Sequence, residues 1–578
     1  MKKIPYGISS YEKIIEENYF YVDKTRYIEI IENYGSAYHF FLRPRRFGKS
    51  LFLSVLEHYY DINTKEQFET LFGDTYIGKN PTPLRNSYPV LRFNFSMVKS
   101  QGTLEELKHG FCLNIWGEID AFVMKYKDRY NLNEEILKKI ENQKDAGDML
   151  LILSNEMKVK NVSFFLIIDE YDNFANNILA EHGKKLYTEI THSGGFLRNF
   201  FTILKGLTDN RQIDRLFITG VSPLVMADVT SGFNIGDNIS QDPQLSAMIG
   251  FNHDEARQIL EYYQSFGIFN QSLDSIFVDF NQWYDGYSFN YELDRIYNSI
   301  SVLYYIHQYI KTKRSPAILT DENMRTDYGK FRFLFQKDKE LNGNFSVLKE
   351  IVETNETYGN FIRSFALNEL VDSEKFRSLL FYFGFISIQN VSPIGIYTFT
   401  IPNKLVNNLL WEFVQKSVNE VYDLKIDNDF LIHAFTDMAL KGIWKPALQY
   451  IIERFYQAVS IRDFVFHEEG IKTFLLAWLN MAAYYRVYSE RELNQGFADI
   501  YLEPDPRFGD FVKYGYVIEL KYLKAPFVKS KKQAEPEIKK AVETAATQLK
   551  QYTDYKIGTT QKIIIVASAK KLLYMDLM

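Results

Sequence analysis

Apolar residues along this chain follow two rhythms. Short, unbroken apolar runs ending in polar tips recur in the first 250 residues: AYHFFLRP (37–44), NVSFFLIIDEYDNF (161–174), with Phe164 to Ile168 at its centre, and DRLFITGVSP (214–223). Such runs predict buried strands, whereas SLFLSVLEHYYD (50–61) spaces its apolar positions as a helix does. From 251 to about 460 the helical period dominates, and the aromatic stripes on it read as core. Within that stretch, 365–415 reads as helix (SEKFRSLLFYFG), strand (FISIQ), a Ser-Pro-Ile-Gly turn, strand (IYTFTI) and helix (KLVNNLLWEFV). This is the outline of a winged helix, with its hairpin across Val391 to Gly395. The last block alternates differently: a helix over 470–485, strands over 486–492, 496–504 and 511–522, a long helix over 534–554 and a buried strand over 562–568, in the order αβββαβ.

The expected fold class is therefore α/β multidomain, divided as 1–250, 251–460 and 461–578. A length of 578 residues agrees with more than one core. Composition excludes more than it selects. Hydrophobic residues make up 46% and charged residues 24%, and no low-complexity segment suggests disorder. A single cysteine, Cys112, allows no internal disulfide and fits a reducing compartment. The first residues carry no apolar h-region, and no apolar run approaches the ~18 residues of a spanning helix. The expectation is a cytoplasmic protein without membrane contact. A net charge of −6 gives no global attraction to nucleic acid, so such binding needs a local patch. The predicted wing offers none, since no Lys or Arg lies between Gln389 and Thr400.

Between the first strand and the following helix lies RPRRFGKS (43–50). Strand, loop and helix start are the setting a phosphate-binding loop requires, and Gly48, Lys49 and Ser50 fit G-x-x-x-x-G-K-[ST], although Arg43 stands in the first glycine slot. Backbone N–H groups at a helix start attract phosphate. Lys49 would reach the β- and γ-phosphates and Ser50 would ligate Mg²⁺. Pro44 lacks an N–H, so charge from Arg43, Arg45 and Arg46 would compensate, with Phe47 completing the loop. Asp169 and Glu170, at the tip of the second strand, suit a Mg²⁺-supporting acid and a water-polarising base, and Thr219 ends the third strand where a γ-phosphate is sensed. Each piece alone is common; the order is what argues for a nucleotide site. The alternative is a P-loop fold that has lost binding.

In the C-terminal block Glu519 and Lys521 share a strand face, and Asp499 joins them from the neighbouring strand. Two carboxylates and the Leu520 carbonyl offer oxygen ligands for Mg²⁺, and a lysine beside them orients or deprotonates water for attack on a phosphodiester. The bland reading is a solvated Glu/Lys edge. Against it, YVIELKY is apolar around its acid, and a lone buried Glu is costly. Seven lysines between 521 and 540 would track a phosphate backbone or merely solvate a loop. None of the nine histidines has zinc-ligand spacing.

At this point the sequence resembles a known family. YFYVDKTRYI (19–28), RPRRFGKSL (43–51), LRFNFS (91–96), LIIDEYD (166–172), TGVSPLVMADVTSGFNIGDNIS (219–240), GFNHDEA (250–256), WYDGYSF (283–289) and IYNSISVL (296–303) look like the AAA-ATPase-like proteins that join a P-loop module to a nuclease-fold domain. In that family the loop is written R-P-R-R-F-G-K-S. The C-terminal block resembles the PD-(D/E)xK nuclease superfamily, and Gln548 with Tyr552 reads as the Q-x-x-x-Y of its RecB-like branch; Ala498 replaces the proline before Asp499. The resemblance implies a P-loop NTPase fold and a restriction-endonuclease-like domain; together with the residue patterns, the expectation is a helical and winged-helix lid region between them, ATP and Mg²⁺ as cofactors and DNA as the partner. Catalytic roles fall to Glu170, Asp499, Glu519, Lys521, Gln548 and Tyr552. An upstream acid, Glu468 or Glu469, and an arginine finger among Arg45, Arg46 and Arg198 stay open, as does a homo-oligomer. A nucleotide-dependent switch or scaffold whose nuclease fold only binds a partner is the rival reading.

Overall fold

The computed structural model describes residues 1–229, 236–292, 295–316, 318–322, 324, 342–422, 425–459, 468–494, 496–509, 511–524, 531–552, 559–568 and 571–578. These fall into two compact units, 1–347 with 357–406, and 348–356 with 407–578. Part of the 219–240 motif, at 230–235, lies outside the described residues, and so does 525–530 of the lysine-rich stretch.

The first unit is built on a five-stranded parallel sheet. Its strands are β1 (Tyr38–Leu42), β2 (Val90–Asn94), β3 (Phe164–Asp169), β4 (Ile213–Gly220) and β5 (Asp237–Asn238), in the order β2-β3-β4-β1-β5. Helices cover a parallel sheet on both faces, which is why β3 is buried at every position and reads as a continuous apolar run. β4 separates β1 from β3, pairing Phe41 of β1 with Thr219 and Ile168 of β3 with Ile218. The polar C-terminal tips of β1, β3 and β4 are thereby brought to one edge, where open α/β sheets bind ligands.

One backbone contact secures that edge. A Cβ on Gly220 would lie 2.4 Å from the Tyr171 ring and 2.6 Å from Asp172 Oδ1, so β4 and the chain leaving β3 approach as only glycine permits. Asp172 then accepts from the Val221 and Ser222 N–H groups at 3.2 and 2.8 Å. The same unit contains the helix Ser373–Phe383, the strands β7 (Ser387–Val391) and β8 (Tyr397–Thr400), and β6 (Glu356–Gly359) in a small sheet ordered β6-β8-β7. The helix Lys404–Tyr422 follows, with residues 407–422 belonging to the second unit.

The second unit carries a sheet ordered β13-β12-β11-β10-β9. Its strands are β9 (Tyr485–Glu492), β10 (Phe497–Pro504), β11 (Tyr514–Leu523), β12 (Thr559–Ser568) and β13 (Leu572–Leu577). β9, β10 and β11 are antiparallel neighbours, whereas β11 and β12 are parallel and need a crossover, supplied by the helix Lys531–Gln551. That helix packs Ala545 and Leu549 onto Tyr501, Val517 and Ile564. Two differences from the sequence pattern appear. The helix expected over 470–485 is Glu468–Leu479, and β13 adds an antiparallel edge that LLYMDL did not announce. Among the described residues no helix is long and apolar enough to cross a membrane.

Candidate functional sites

In the first unit, RPRRFGKS turns sharply from β1 into the helix Lys49–Tyr60. Gly48 caps that helix at φ 103°, a left-handed conformation suited to glycine, and Arg46 is also left-handed at φ 70°. Lys49 folds back over the loop. Its buried Nζ donates to the Arg43 and Pro44 carbonyls at 2.9 and 3.0 Å. Burial lowers its pKa, and Glu170, Asp169 and Asp172 counter the shift.

A cleft of about 500 Å³ opens beside the loop, lined by Arg45 through Leu51 and by Glu170, Asn173 and Asn177. Glu170 sits at φ 49°, a strained conformation for a non-glycine residue, and accepts from Asn173 Nδ2 at 2.7 Å. Burial raises its pKa, while Lys49 and Arg45 pull it back.

Four candidates lie outside that lining: Arg43, Pro44, Asp169 and Thr219. The Arg43 guanidinium is buried between the Phe41 and Phe289 rings, 4.5 and 4.4 Å from their centroids, and donates to the Leu42 and Ser240 carbonyls. Loss of water lowers its pKa to about 9. Its charge is committed to joining β1 to two other segments of this unit. Thr219, also outside the lining, donates to Asp169 Oδ1 at 3.0 Å and so stands behind the acid.

Sequence reading missed several participants. Arg92 on β2 donates to Asp169 Oδ2 and Glu57 Oε2, each at 3.2 Å, so both oxygens of the fully buried Asp169 are engaged. An arginine inside the apolar strand LRFNF was the available signal. Lys24, buried in an ion pair with Glu255 at 2.6 Å, lines the cleft together with Phe20, Gly250 and Ser299. Their motifs were visible, but nothing local tied them to the loop.

The second site lies on the β10–β11 face covered by the helix Lys531–Gln551. The register Ile500↔Ile518, continued by one residue, sets Asp499 opposite Glu519. Asp499 Oδ2 accepts the Leu520 N–H at 2.7 Å, and Lys521 Nζ donates to Glu519 Oε1 at 2.7 Å. Tyr552 packs its ring against Gly496 and donates to the Phe497 carbonyl at 2.8 Å, with Glu519 Oε2 at 3.3 Å. Glu519 is 1% exposed. Burial first, then the Asp499 charge, pushes its pKa up to about 7, against Lys521 and Tyr552. Burial raises Asp499 as well. Gln548, in the last turn of that helix and four residues before Tyr552, is half-buried, with its Oε1 buried and unpartnered among the described residues.

Strand β9 adds an acid that sequence reading passed over. Ser489↔Ile500 and Arg491↔Ala498 flank the rung where Glu490 faces Asp499, and Glu490 forms an ion pair with Lys472. The Lys472 and Glu490 charges both act on Asp499. Among the described residues no three His, Cys, Asp or Glu side chains converge closely enough to hold a metal, and the candidate donors remain the Asp499–Glu519 pair. The buried Glu519 and the partly buried Asp499, whose charge raises the Glu519 pKa, are a hard-oxygen pair suited to a divalent cation. The side chains of Glu468 and Glu469 lie outside what is described.

Residues 5–230 match the family model described as a predicted AAA-ATPase, and residues 466–575 match that of the PD-(D/E)XK nuclease superfamily. The chain thus has the architecture the resemblance implied, an AAA-ATPase-like module followed by a PD-(D/E)XK nuclease superfamily module. A relative described as an uncharacterized protein in the vnfD 5′ region of Azotobacter chroococcum mcd 1 is 25% identical over 452 residues, covering 74% of this chain and 75% of the relative.

Proposed function

We propose that this chain is a cytoplasmic, ATP-binding nuclease that cleaves DNA with Mg²⁺ under nucleotide control. The observation that carries the reading is the Asp499–Glu519–Lys521 cluster, in which the buried Glu519, the partly buried Asp499 and a lysine share one face of β10 and β11. Asp499 and Glu519 would hold Mg²⁺, with the Leu520 carbonyl as a third oxygen. Mg²⁺ bound there polarises the phosphodiester and acidifies water. Lys521 holds Glu519 ready and orients the attacking water, Tyr552 fixes the far oxygen of Glu519, and Gln548 faces the substrate from the last turn of the helix that precedes Tyr552. In the other module, Lys49 and the N–H groups of the loop would take the phosphates of ATP, Ser50 and Asp169 its Mg²⁺, and Glu170 the water. The winged-helix-like segment 365–415 serves as part of a lid in this reading.

The test is cleavage of linear and circular DNA with Mg²⁺, with and without ATP, by wild type, Lys49→Ala and Glu519→Ala. Cleavage lost in Glu519→Ala and altered by ATP only when Lys49 is present is the expected pattern. Undiminished cutting by Glu519→Ala sinks the metal site, and cutting that ignores both ATP and Lys49→Ala removes the nucleotide control.

One observation favours a second reading, a switch that binds nucleotide without rapid turnover. Both oxygens of Asp169 are already engaged, by Thr219 and Arg92. In that case ATP binding persists, phosphate release is negligible and the C-terminal module binds a partner.

A further inference from the structure

The carbonyls of the phosphate loop can be followed one by one. Those of Arg43 and Pro44 accept from Lys49 Nζ, and that of Gly48 accepts from the Phe52 N–H at 3.1 Å inside the helix. The three between them are held from outside. The Arg45 carbonyl accepts from Asn298 Nδ2 at 3.2 Å. The Arg46 carbonyl accepts from Ser299 Oγ at 3.2 Å and from the Ile300 N–H at 3.4 Å. The Phe47 carbonyl accepts from the Gly250 N–H at 2.9 Å.

A trans peptide is planar, so its C=O and N–H point in opposite directions. Fixing the carbonyls of residues 45–47 on one side therefore turns the N–H groups of residues 46–48 to the other. The N–H groups of Gly48, Lys49 and Ser50 have no acceptor among the described residues, and these residues line the cleft. Pro44 leaves the first half of this loop one donor short, so the aim of the remaining donors matters more.

We infer that Asn298 and Ser299 are positioning residues for the phosphate loop, orienting its N–H groups toward an anionic polyphosphate from a helix some 250 residues downstream. The inference rests on the nucleotide reading of the cleft. Asn298 has two separable jobs. Its Oδ1 caps the helix Ser299–Thr312 by accepting from the Ile300 N–H at 3.1 Å, while its Nδ2 holds the loop. Serine retains a helix cap and deletes the donor that reaches the loop.

The experiment compares full-length wild type, Asn298→Ser and Ser299→Ala without nucleotide, by limited tryptic cleavage after Arg45 and Arg46 and by amide hydrogen exchange across 301–312, and then by ATP titration. Tryptic cleavage in the loop should accelerate in both variants, while exchange across 301–312 stays at the wild-type rate. The ATP Kd should rise roughly tenfold, the effect of about one lost hydrogen bond. Unchanged loop cleavage or unchanged ATP affinity in both variants overturns the inference, as does accelerated exchange across 301–312, which would mark a purely structural role. If wild type binds no ATP, the nucleotide reading falls, and the cleavage rates after Arg45 and Arg46 still decide whether Asn298 and Ser299 hold the loop.

Discussion

Lys521 Nζ lies 2.7 Å from Glu519 Oε1, two residues back on the same strand, which builds a charge pair into one face of β11. The pair serves a buried acid that also faces Asp499. Replacing Lys521 with Met should reduce DNA cleavage by at least about 100-fold, the usual weight of a positioned proton-transfer group. Calcium binding, followed by calorimetry, should survive in Lys521→Met and vanish in Glu519→Gln. Loss of both signals in Lys521→Met would reassign the lysine to folding.

The raised pKa of Glu519 makes the metal-free protein pH-sensitive in a definite direction. Its carboxyl titrates near 4.5 when unfolded and at about 7 when folded. A raised acid contributes stability that is fully present below the unfolded value and lost as pH rises through the folded one. In the presence of a chelator, the melting temperature of the C-terminal transition should fall between pH 4.5 and 7. Glu519→Gln should flatten that slope, and Mg²⁺ should oppose it, since cation binding favours the ionised pair. A slope that is the same in wild type and Glu519→Gln excludes this origin.

Lys49 is buried on two carbonyls of its own loop, so its removal acts on both the empty and the loaded cleft. Lys49→Ala should weaken ATP binding roughly ten- to a hundredfold, as expected for a lost charge-assisted contact. The ATP-induced rise in melting temperature should shrink accordingly. An unaltered thermal shift would place the phosphates elsewhere.

Asp169 has its oxygens divided between Thr219 and Arg92. Thr219→Val keeps the shape of the side chain and deletes the donor, which should cost about 1 kcal/mol of stability and slow phosphate release while sparing ATP affinity. Arg92→Met frees the other oxygen and should strengthen the Mg²⁺ dependence of ATP binding. Titration of Mg²⁺ at fixed ATP separates the two variants.

Gly220 tests the edge that holds both tips together. Alanine there must displace the Tyr171 ring or Asp172, and a loss of about 2–3 kcal/mol is expected from overpacking. Urea unfolding of the first unit measures it, and a loss under about 0.5 kcal/mol would mean the strand tips part easily.

Much of this was legible in the chain because the carriers were local. An apolar run ending in Asp169-Glu170 declares a buried parallel strand and its tip, and the alternation around Glu519 puts it and Lys521 on one face. What escaped was set at long range. Nothing near Arg43 announces Phe289 on its other side, so an arginine in a phosphate-loop motif read as phosphate-seeking. Arg92 and Glu490 look like ordinary charges on strands until the neighbouring strand is in register. Asn298 and Ser299 belonged to a motif whose purpose exists only after the helix they start has docked against the loop.

That docking imposes an order in time. Asn298 and Arg45 stand 253 positions apart in the chain. At ~5–20 residues per second, roughly ten to fifty seconds of synthesis separate them. Through that interval the loop would lack the Asn298 and Ser299 donors that hold the carbonyls of residues 45 and 46. On the nucleotide reading of the cleft, competence to grip a polyphosphate would be deferred until the ribosome is well past residue 300, and a fragment ended at residue 230 would carry the motif without the grip.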